Sequence, residues 1–260
     1  MSNHIAFIGG GNMARSLIGG LIAQGHDPAS IHVAEPVDAL RDALHADFGV
    51  STFDNGGAAV EGASSWVFAV KPQVMRAVCE SLAAQAQARR PLVISIAAGI
   101  TGSQLERWLG GALPVVRTMP NTPALLGAGI TGLHASELVD DAGRAFAETL
   151  LASAGQTVWI GHEDLMDAVT GVSGSGPAYV FLLAEAMIDA GIAEGLPADA
   201  ARALALQTVL GAARMLTEEG APDAAELRRR VTSPNGTTQA AIEAFEAGGL
   251  RTLVAVAIHA

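Results

Sequence analysis

A single cysteine, Cys79, leaves the chain without an internal disulfide framework or a cysteine-rich metal cluster. Histidine does not fill that gap. The seven histidines are scattered, with no pair at zinc-ligand spacing, so no metal is expected. Lysine is rarer still: Lys71 is the only one, and the other fourteen of the 15 basic residues are arginine. Positive charge is scarce overall. A net charge of −11 argues against nonspecific nucleic-acid binding, which needs a basic face. The one local basic run, Arg228-Arg229-Arg230, reads as a solvated helix face. Half the residues are hydrophobic and 16% are charged, which argues against disorder. No apolar segment reaches the roughly 20 residues of a membrane span without a polar interruption. No signal-peptide pattern precedes the first apolar run. The expectation is a soluble cytoplasmic protein with no nucleic-acid or membrane partner.

Glycine, by contrast, is abundant, with 30 in the 260 residues. The informative ones come first. His4-Ile-Ala-Phe-Ile8 fits a buried strand, Gly9-Gly-Gly11 a tight turn, and the residues to Gly25 a helix with apolar and small residues at helical spacing. Gly9, Gly11 and Ala14 form G-x-G-x-x-A. In such a loop the first glycine makes the turn and the second lets backbone approach a pyrophosphate. The small third residue packs helix on strand. The free N–H groups at the helix N-terminus then suit phosphate oxygens. The alternative is a glycine-rich turn that merely packs tightly.

The region that follows alternates strand and helix. Ile31–Glu35, Ser65–Val70, Pro91–Ile96 and Leu113–Met119 read as strands, and Thr157–Ile160 as a closing one. Helices are expected over about 38–46, from Pro72 to about Ala88, and around 103–109. This order predicts a mostly parallel sheet covered by helices on both faces. After Ile160 the pattern becomes all helical, in the runs Ala178–Ala193, Ala198–Thr217 and Thr237–Ile258. Residues 1–161 are therefore expected to form an α/β dinucleotide-binding domain, and 162–260 an all-α domain. The second is too apolar to hide its faces alone, so subunit pairing is expected through it. A compact monomeric bundle is the competing arrangement.

Several polar groups stand where a doubly wound fold presents ligands. Glu35 ends the second strand, where a carboxylate accepts hydrogen bonds from a ribose 2′-hydroxyl and repels a 2′-phosphate. It could equally cap the next helix, and Arg41 is the nearest downstream cation. Lys71, in Ala69-Val-Lys-Pro72, also sits at a strand's carboxyl end. Thr118-Met-Pro-Asn-Thr-Pro123 stiffens an Asn-Thr pair between prolines, either toward a cleft or as a rigid turn. Val172–Tyr179 and Thr232–Thr238 are loops rich in hydroxyl groups and glycine that lead into helices. Helix capping or anion binding would explain both.

Taken in order, Phe7–Ala14, Phe68–Pro72, Val93–Gly99, Met119–Ala124, Val172–Tyr179 and Val231–Thr238 resemble the pyrroline-5-carboxylate reductase family. The resemblance implies a Rossmann N-terminal domain and a helical dimerisation domain, with homodimers and in some cases decamers. It also implies reduction of 1-pyrroline-5-carboxylate to L-proline by NADPH or NADH. Carried over by motif, the cofactor residues would be Ile8, Gly9, Gly10, Gly11, Asn12, Met13, Glu35, Asn55, Ala69, Val70, Lys71, Pro72, Ile96, Ala97 and Ala98. The substrate residues would be Ser233, Gly236, Thr237, Thr238 and Glu219, with the Thr238 hydroxyl on the imine nitrogen as the catalytic contact. Two other readings remain at this point. One is another enzyme of the same architecture, a different imine reductase or a β-hydroxyacid dehydrogenase, though the latter would be expected to carry a lysine in the helical domain and none follows Lys71. A non-catalytic dinucleotide sensor would bind cofactor without turnover.

Overall fold

The computed structural model describes residues 4–260. Its strands are β1 (His4–Ile8), β2 (Ile31–Ala34), β3 (Ser51–Phe53), β4 (Ala63–Phe68), β5 (Leu92–Ser95), β6 (Val115–Met119), β7 (Gly129–Ala135) and β8 (Gly155–Trp159). They form an 8-stranded sheet in the order β3-β2-β1-β4-β5-β6-β7-β8. The strands from β3 to β6 in that order are mutually parallel, with Phe7 opposite both Val33 and Val67. β7 runs against β6, and β8 is parallel to β7. The reversal has a simple cause. Residues 120–128 are too few for the crossover that a parallel partner requires.

The helices of this unit are α1 (Asn12–Ala23), α2 (Asp38–Phe48), α3 (Gly56–Ala59), α4 (Pro72–Arg89), α5 (Gly102–Trp108), α6 (Asp141–Ala152) and α7 (Met166–Val169). Successive strand residues point to opposite faces, so the apolar strands feed two cores. Ile5, Phe7, Val33, Val67 and Ile94 bury with Leu17 and Ile18 of α1, Leu44 of α2 and Leu150 of α6. Ala6, Ile8, Trp66, Phe68 and Val93 bury with Met75, Cys79 and Leu82 of α4 and Leu105 of α5. Each fully buried large side chain contributes about 1.5–3 kcal/mol. The α/β Rossmann arrangement read from the sequence is the one observed. Five elements of this unit go beyond that reading: β3, β7, α3, α6 and α7.

By compactness the chain divides after Ser175, whereas the sequence reading places the boundary after residue 161. Residues between those points pack on the sheet. Met166 is buried, and a Cβ on Gly132 of β7 would meet Val169 Cγ1 at 2.6 Å. A π-turn over Thr170–Gly174 follows α7.

The helical unit contains α8 (Gly176–Ala193), α9 (Ala198–Thr217), α10 (Ala224–Arg230), α11 (Thr237–Ala247) and α12 (Leu250–His259). α8 and α9 pack together across a short turn with Gly195 at φ +96. The run read as one helix from Thr237 to Ile258 is instead two, interrupted at Gly248-Gly249, where Gly249 has φ +74. Only glycine adopts that conformation at little cost. In α10, Glu226 pairs with Arg229 and Arg230, so the basic run is partly neutralised on its own helix. Phe181, Leu182, Leu204, Leu253 and Val256 are exposed. No apolar segment of membrane-span length is expected without a polar interruption, and one long helical stretch reaches that length only with such interruptions. Among the described residues, the continuous helical stretch Glu163–Ala193 is long and apolar enough by length and composition, although Glu185 and Asp189 interrupt it.

Candidate functional site

The parallel strands deliver their carboxyl ends to one edge of the sheet, and hydrogen bonds carry the ladder into the loops beyond. Ala69 N–H donates to Ile8 O at 2.8 Å, Gly9 N–H to Ala34 O at 2.8 Å, and Ile96 N–H to Phe68 O at 3.1 Å. The Thr118 hydroxyl donates to Ser95 O at 2.9 Å. The structure thus brings together Ile8–Met13, Ala69–Pro72 and Ile96–Ala98, with Met119–Pro123 next in line.

Within the glycine loop, Gly9 has φ +105, and a Cβ there would lie 2.6 Å from Ala69 O. A Cβ on Gly10 would meet Leu44 Cδ1 at 2.5 Å. Gly11 differs: nothing lies within 4 Å of where its Cβ would stand. Gly11 precedes α1 without a side-chain cap, and the first turn of α1, beginning with exposed Asn12 and half-buried Met13, holds no acidic residue. Its free N–H groups and its share of the helix dipole are therefore open to an anion. The α4 N-terminus is similar, with exposed Lys71 as an N-cap that makes no side-chain bond, Pro72 next, and no acid in the first turn. A bare glycine before an uncapped helix, backed by a second uncapped helix at the same edge, fits the pyrophosphate of a dinucleotide.

Glu35 follows β2 and is 8% exposed. Its Oε2 accepts from Gly10 N–H at 3.0 Å and its Oε1 from Val37 N–H at 3.0 Å. Arg41 reaches back to donate to Glu35 O at 2.7 Å and also pairs with Asp38. Asn55 follows β3 and caps α3 by accepting from Ala58 N–H at 2.9 Å. Val70 and Ala69 are half-buried, Ala97 is buried and Ala98 is exposed.

Two residues important to the scaffold stand outside the sequence-derived site. The Asn121 side chain donates to Ser173 O at 3.1 Å and accepts from Ile130 N–H at 3.0 Å. It locks the proline turn to β7 and to the π-turn. Arg117, 5% exposed in β6, pairs with Glu163 at 3.4 Å and Asp167 at 3.1 Å. A lone arginine in the apolar run Val115-Val-Arg-Thr-Met119 was the available signal. Both Arg117 and Glu163 line a concavity of about 740 Å³ that includes none of the glycine-loop residues. Burial, then the charge of Glu163, raises the Glu106 carboxyl there above its ordinary range. Among the described residues, no group of three or more His, Cys, Asp or Glu is placed to hold a metal ion.

In the helical unit, Ser233, Gly236, Thr237 and Thr238 come together where a turn enters α11. Gly236 N–H donates to Ser233 O at 3.0 Å, and Gly236 is an N-cap without a side-chain bond. Asn235 has φ +58, and its N–H donates to Gln239 Oε1 at 2.7 Å. Thr237 and Thr238 open the helix and are exposed, so their N–H groups and hydroxyls can meet a carboxylate or another small polar group. Glu219 lies in a different turn, after α9, and is exposed.

Comparison with known proteins finds a family match in each part of the chain. Residues 163–260 match the family described as pyrroline-5-carboxylate reductase dimerisation, and residues 4–99 match the family described as NADP oxidoreductase coenzyme F420-dependent. A pyrroline-5-carboxylate reductase of Pseudomonas aeruginosa is 51% identical over 98% of this chain and 93% of its own length. A solved pyrroline-5-carboxylate reductase structure from Coxiella burnetii superposes with a TM-score of 0.94 at 42% identity, covering 100% of this chain and 96% of that one. The Plasmodium falciparum pyrroline carboxylate reductase, solved with NADP bound, gives a TM-score of 0.85 at 26% identity over 99% and 94%. With an uncapped glycine loop at one end, a hydroxyl-rich helix entry at the other and this likeness along its length, the chain belongs to the pyrroline-5-carboxylate reductase family.

Proposed function

We propose that the chain reduces 1-pyrroline-5-carboxylate to L-proline with NADPH or NADH, the last step of proline biosynthesis. Kinship over almost the entire chain carries this reading, because it spans the dinucleotide edge and the helical unit together. In this reading Ile8–Met13, Asn55, Ala69–Pro72 and Ile96–Ala98 hold the cofactor, with Glu35 at the same edge behind the glycine loop, and the bound dihydronicotinamide supplies a hydride. Ser233, Gly236, Thr237 and Thr238 hold the substrate, with Glu219 nearby in sequence. The functional boundary falls near residue 161, and the exposed apolar faces of α8, α9 and α12 support a homodimer, or a larger ring such as a decamer, formed in the cytoplasm. Neither nucleic acid nor membrane is a partner in this scheme.

The chemistry asks two things of the protein's own residues. It must fix the imine carbon for hydride arrival, and near-attack positioning of this kind can lower a barrier by up to roughly 7–11 kcal/mol. It must also favour a positive imine nitrogen, since an iminium accepts hydride more readily than a neutral imine. Neither the 233–238 loop nor the first turn of α11 contains a histidine or lysine to act as an acid. The iminium proton therefore comes with the substrate, and the Thr238 hydroxyl accepts its hydrogen bond. After hydride addition that proton remains on the proline nitrogen. The substrate carboxylate takes the free N–H groups at the start of α11.

Following NAD(P)H absorbance on addition of 1-pyrroline-5-carboxylate, with each cofactor in turn, tests the proposal. Oxidation dependent on the imine is expected, and cofactor binding without turnover would overturn it. Thr238→Ala should lower kcat about tenfold or more, if a hydrogen bond worth ~1–1.5 kcal/mol forms mainly in the transition state. An unchanged kcat would remove Thr238 from the mechanism.

A further inference from the structure

We propose that Glu35 is a positioning residue that clasps the glycine loop and does not set the choice between NADH and NADPH. The inference rests on the dinucleotide reading of the sheet edge. A discriminating carboxylate at this place in the fold should be open to the adenosine ribose. This one is turned into the protein. Its two oxygens accept N–H groups from opposite sides, Gly10 in the loop after β1 and Val37 in the turn before α2, and the residue is 8% exposed.

The surroundings explain why a glutamate suits the position. Gly10 packs so closely that a Cβ there would meet Glu35 Cβ at 3.2 Å, so the two segments touch directly. Glu35 N–H donates to Phe53 O at 2.9 Å, which fixes its backbone to the end of β3. Arg41 holds the Glu35 carbonyl from the other side. The side chain thus spans a fixed gap between two backbone donors. A carboxylate is acceptor-only and can serve both. Glutamine is nearly isosteric but has one acceptor oxygen, so its NH₂ would face one of the two N–H groups. Aspartate keeps the charge but loses the reach.

Those two variants separate clasp from discriminator. Dissociation constants of NADH and NADPH would be measured by calorimetry on the protein without substrate, alongside steady-state kinetics with each cofactor. Circular dichroism melting would check the fold. As a clasp, Glu35→Gln and Glu35→Asp both weaken NADH and NADPH by the same factor, about tenfold for one buried donor left without its acceptor. The ratio of the two affinities stays at its wild-type value, and the KM for the imine is unmoved. As a discriminator, Glu35→Asp would keep the wild-type ratio and affinities, whereas Glu35→Gln would shift the ratio tenfold or more toward NADPH. That shift would overturn the proposal, and so would wild-type affinities in both variants. If Glu35→Gln does not fold, Glu35→Asp still decides, because only the clasp predicts loss with the charge retained. Failure of wild-type protein to bind either dinucleotide would instead refute the underlying site assignment.

Discussion

The two outer glycines of the G-x-G-x-x-A loop should fail in different ways when each is given a methyl group. At Gly9 the backbone has φ +105, and the new Cβ would lie 2.6 Å from Ala69 O and 2.8 Å from Ala69 C. Those atoms belong to the backbone at the end of β4, so no rotamer change relieves the clash. The left-handed conformation costs an L-residue roughly 1–2 kcal/mol, and overpacking typically adds about 1–3 kcal/mol. Gly9→Ala should therefore destabilise the sheet unit by roughly 2–5 kcal/mol, lowering its melting midpoint by several degrees or more. At Gly11 the Cβ would stand in open space, with φ −68. The only intrinsic cost is alanine's poorer N-cap preference, up to about 1 kcal/mol. Yet this is the glycine whose bare Cα lets a pyrophosphate approach. Gly11→Ala should melt within a few degrees of the parent while its Kd for NAD(P)H rises tenfold or more. Calorimetric titration and thermal melting of both variants make the comparison. Wild-type cofactor affinity in Gly11→Ala would refute the pyrophosphate seat. A wild-type melting midpoint in Gly9→Ala would refute the packing argument.

Other consequences can be checked separately. Asn121→Ala leaves the half-buried Ile130 N–H without its acceptor and Ser173 O without its donor; two bonds at about 0.5–1.5 kcal/mol each predict a loss of about 1–3 kcal/mol in chemical denaturation. A neutral result would mean the turn is held by its prolines alone. Cys79 is buried against the sheet, and that burial, with Glu80 nearby, pushes its thiol up to about 12. It stays protonated at neutral pH, so a thiol reagent should label the unfolded chain at once and the native protein only as slowly as it opens; rapid native labelling would contradict the packing. If the exposed apolar faces of α8, α9 and α12 pair between chains, replacing Phe181 and Leu182 with serine should release monomers, visible by sedimentation. Unchanged mass would place the interface elsewhere.

Legibility in the sequence followed how local the cause was. β1, its glycine turn and α1 could be read because apolar run, glycines and helical spacing are contiguous. The run Ala198–Thr217 coincides with α9 because its alanine and leucine content favours helix along its whole length, whatever packs beside it. β7 was not legible. Gly129-Ile-Thr-Gly-Leu-His-Ala135 carries two glycines that read as loop, and both are demanded by packing: Cβ atoms would strike Ala124 from Gly129 and Val169 from Gly132. β3 has three residues, too few for a period to show. The Gly248-Gly249 pair was a legible helix break that the strongly apolar run around it concealed.

The candidate site divides along the same line. Position was local: the end of β2 could be found by counting along an α/β pattern, so Glu35 was found. The direction of its carboxylate was not local, because it depends on the β2–α2 turn presenting Val37 N–H and the β1–α1 turn presenting Gly10 N–H at a common gap. A sequence argument therefore names the residue and the ligand group it would face in an open site, while the fold decides whether that face is open. Asn121 follows the same rule. Two prolines made its rigidity readable, but its two side-chain hydrogen bonds go to Ser173 and Ile130, residues 52 and 9 positions away. Polar side chains at sheet edges are thus weak reporters of ligand contact until their backbone partners are known. Glycines such as Gly11, where open space is the observation, are stronger ones.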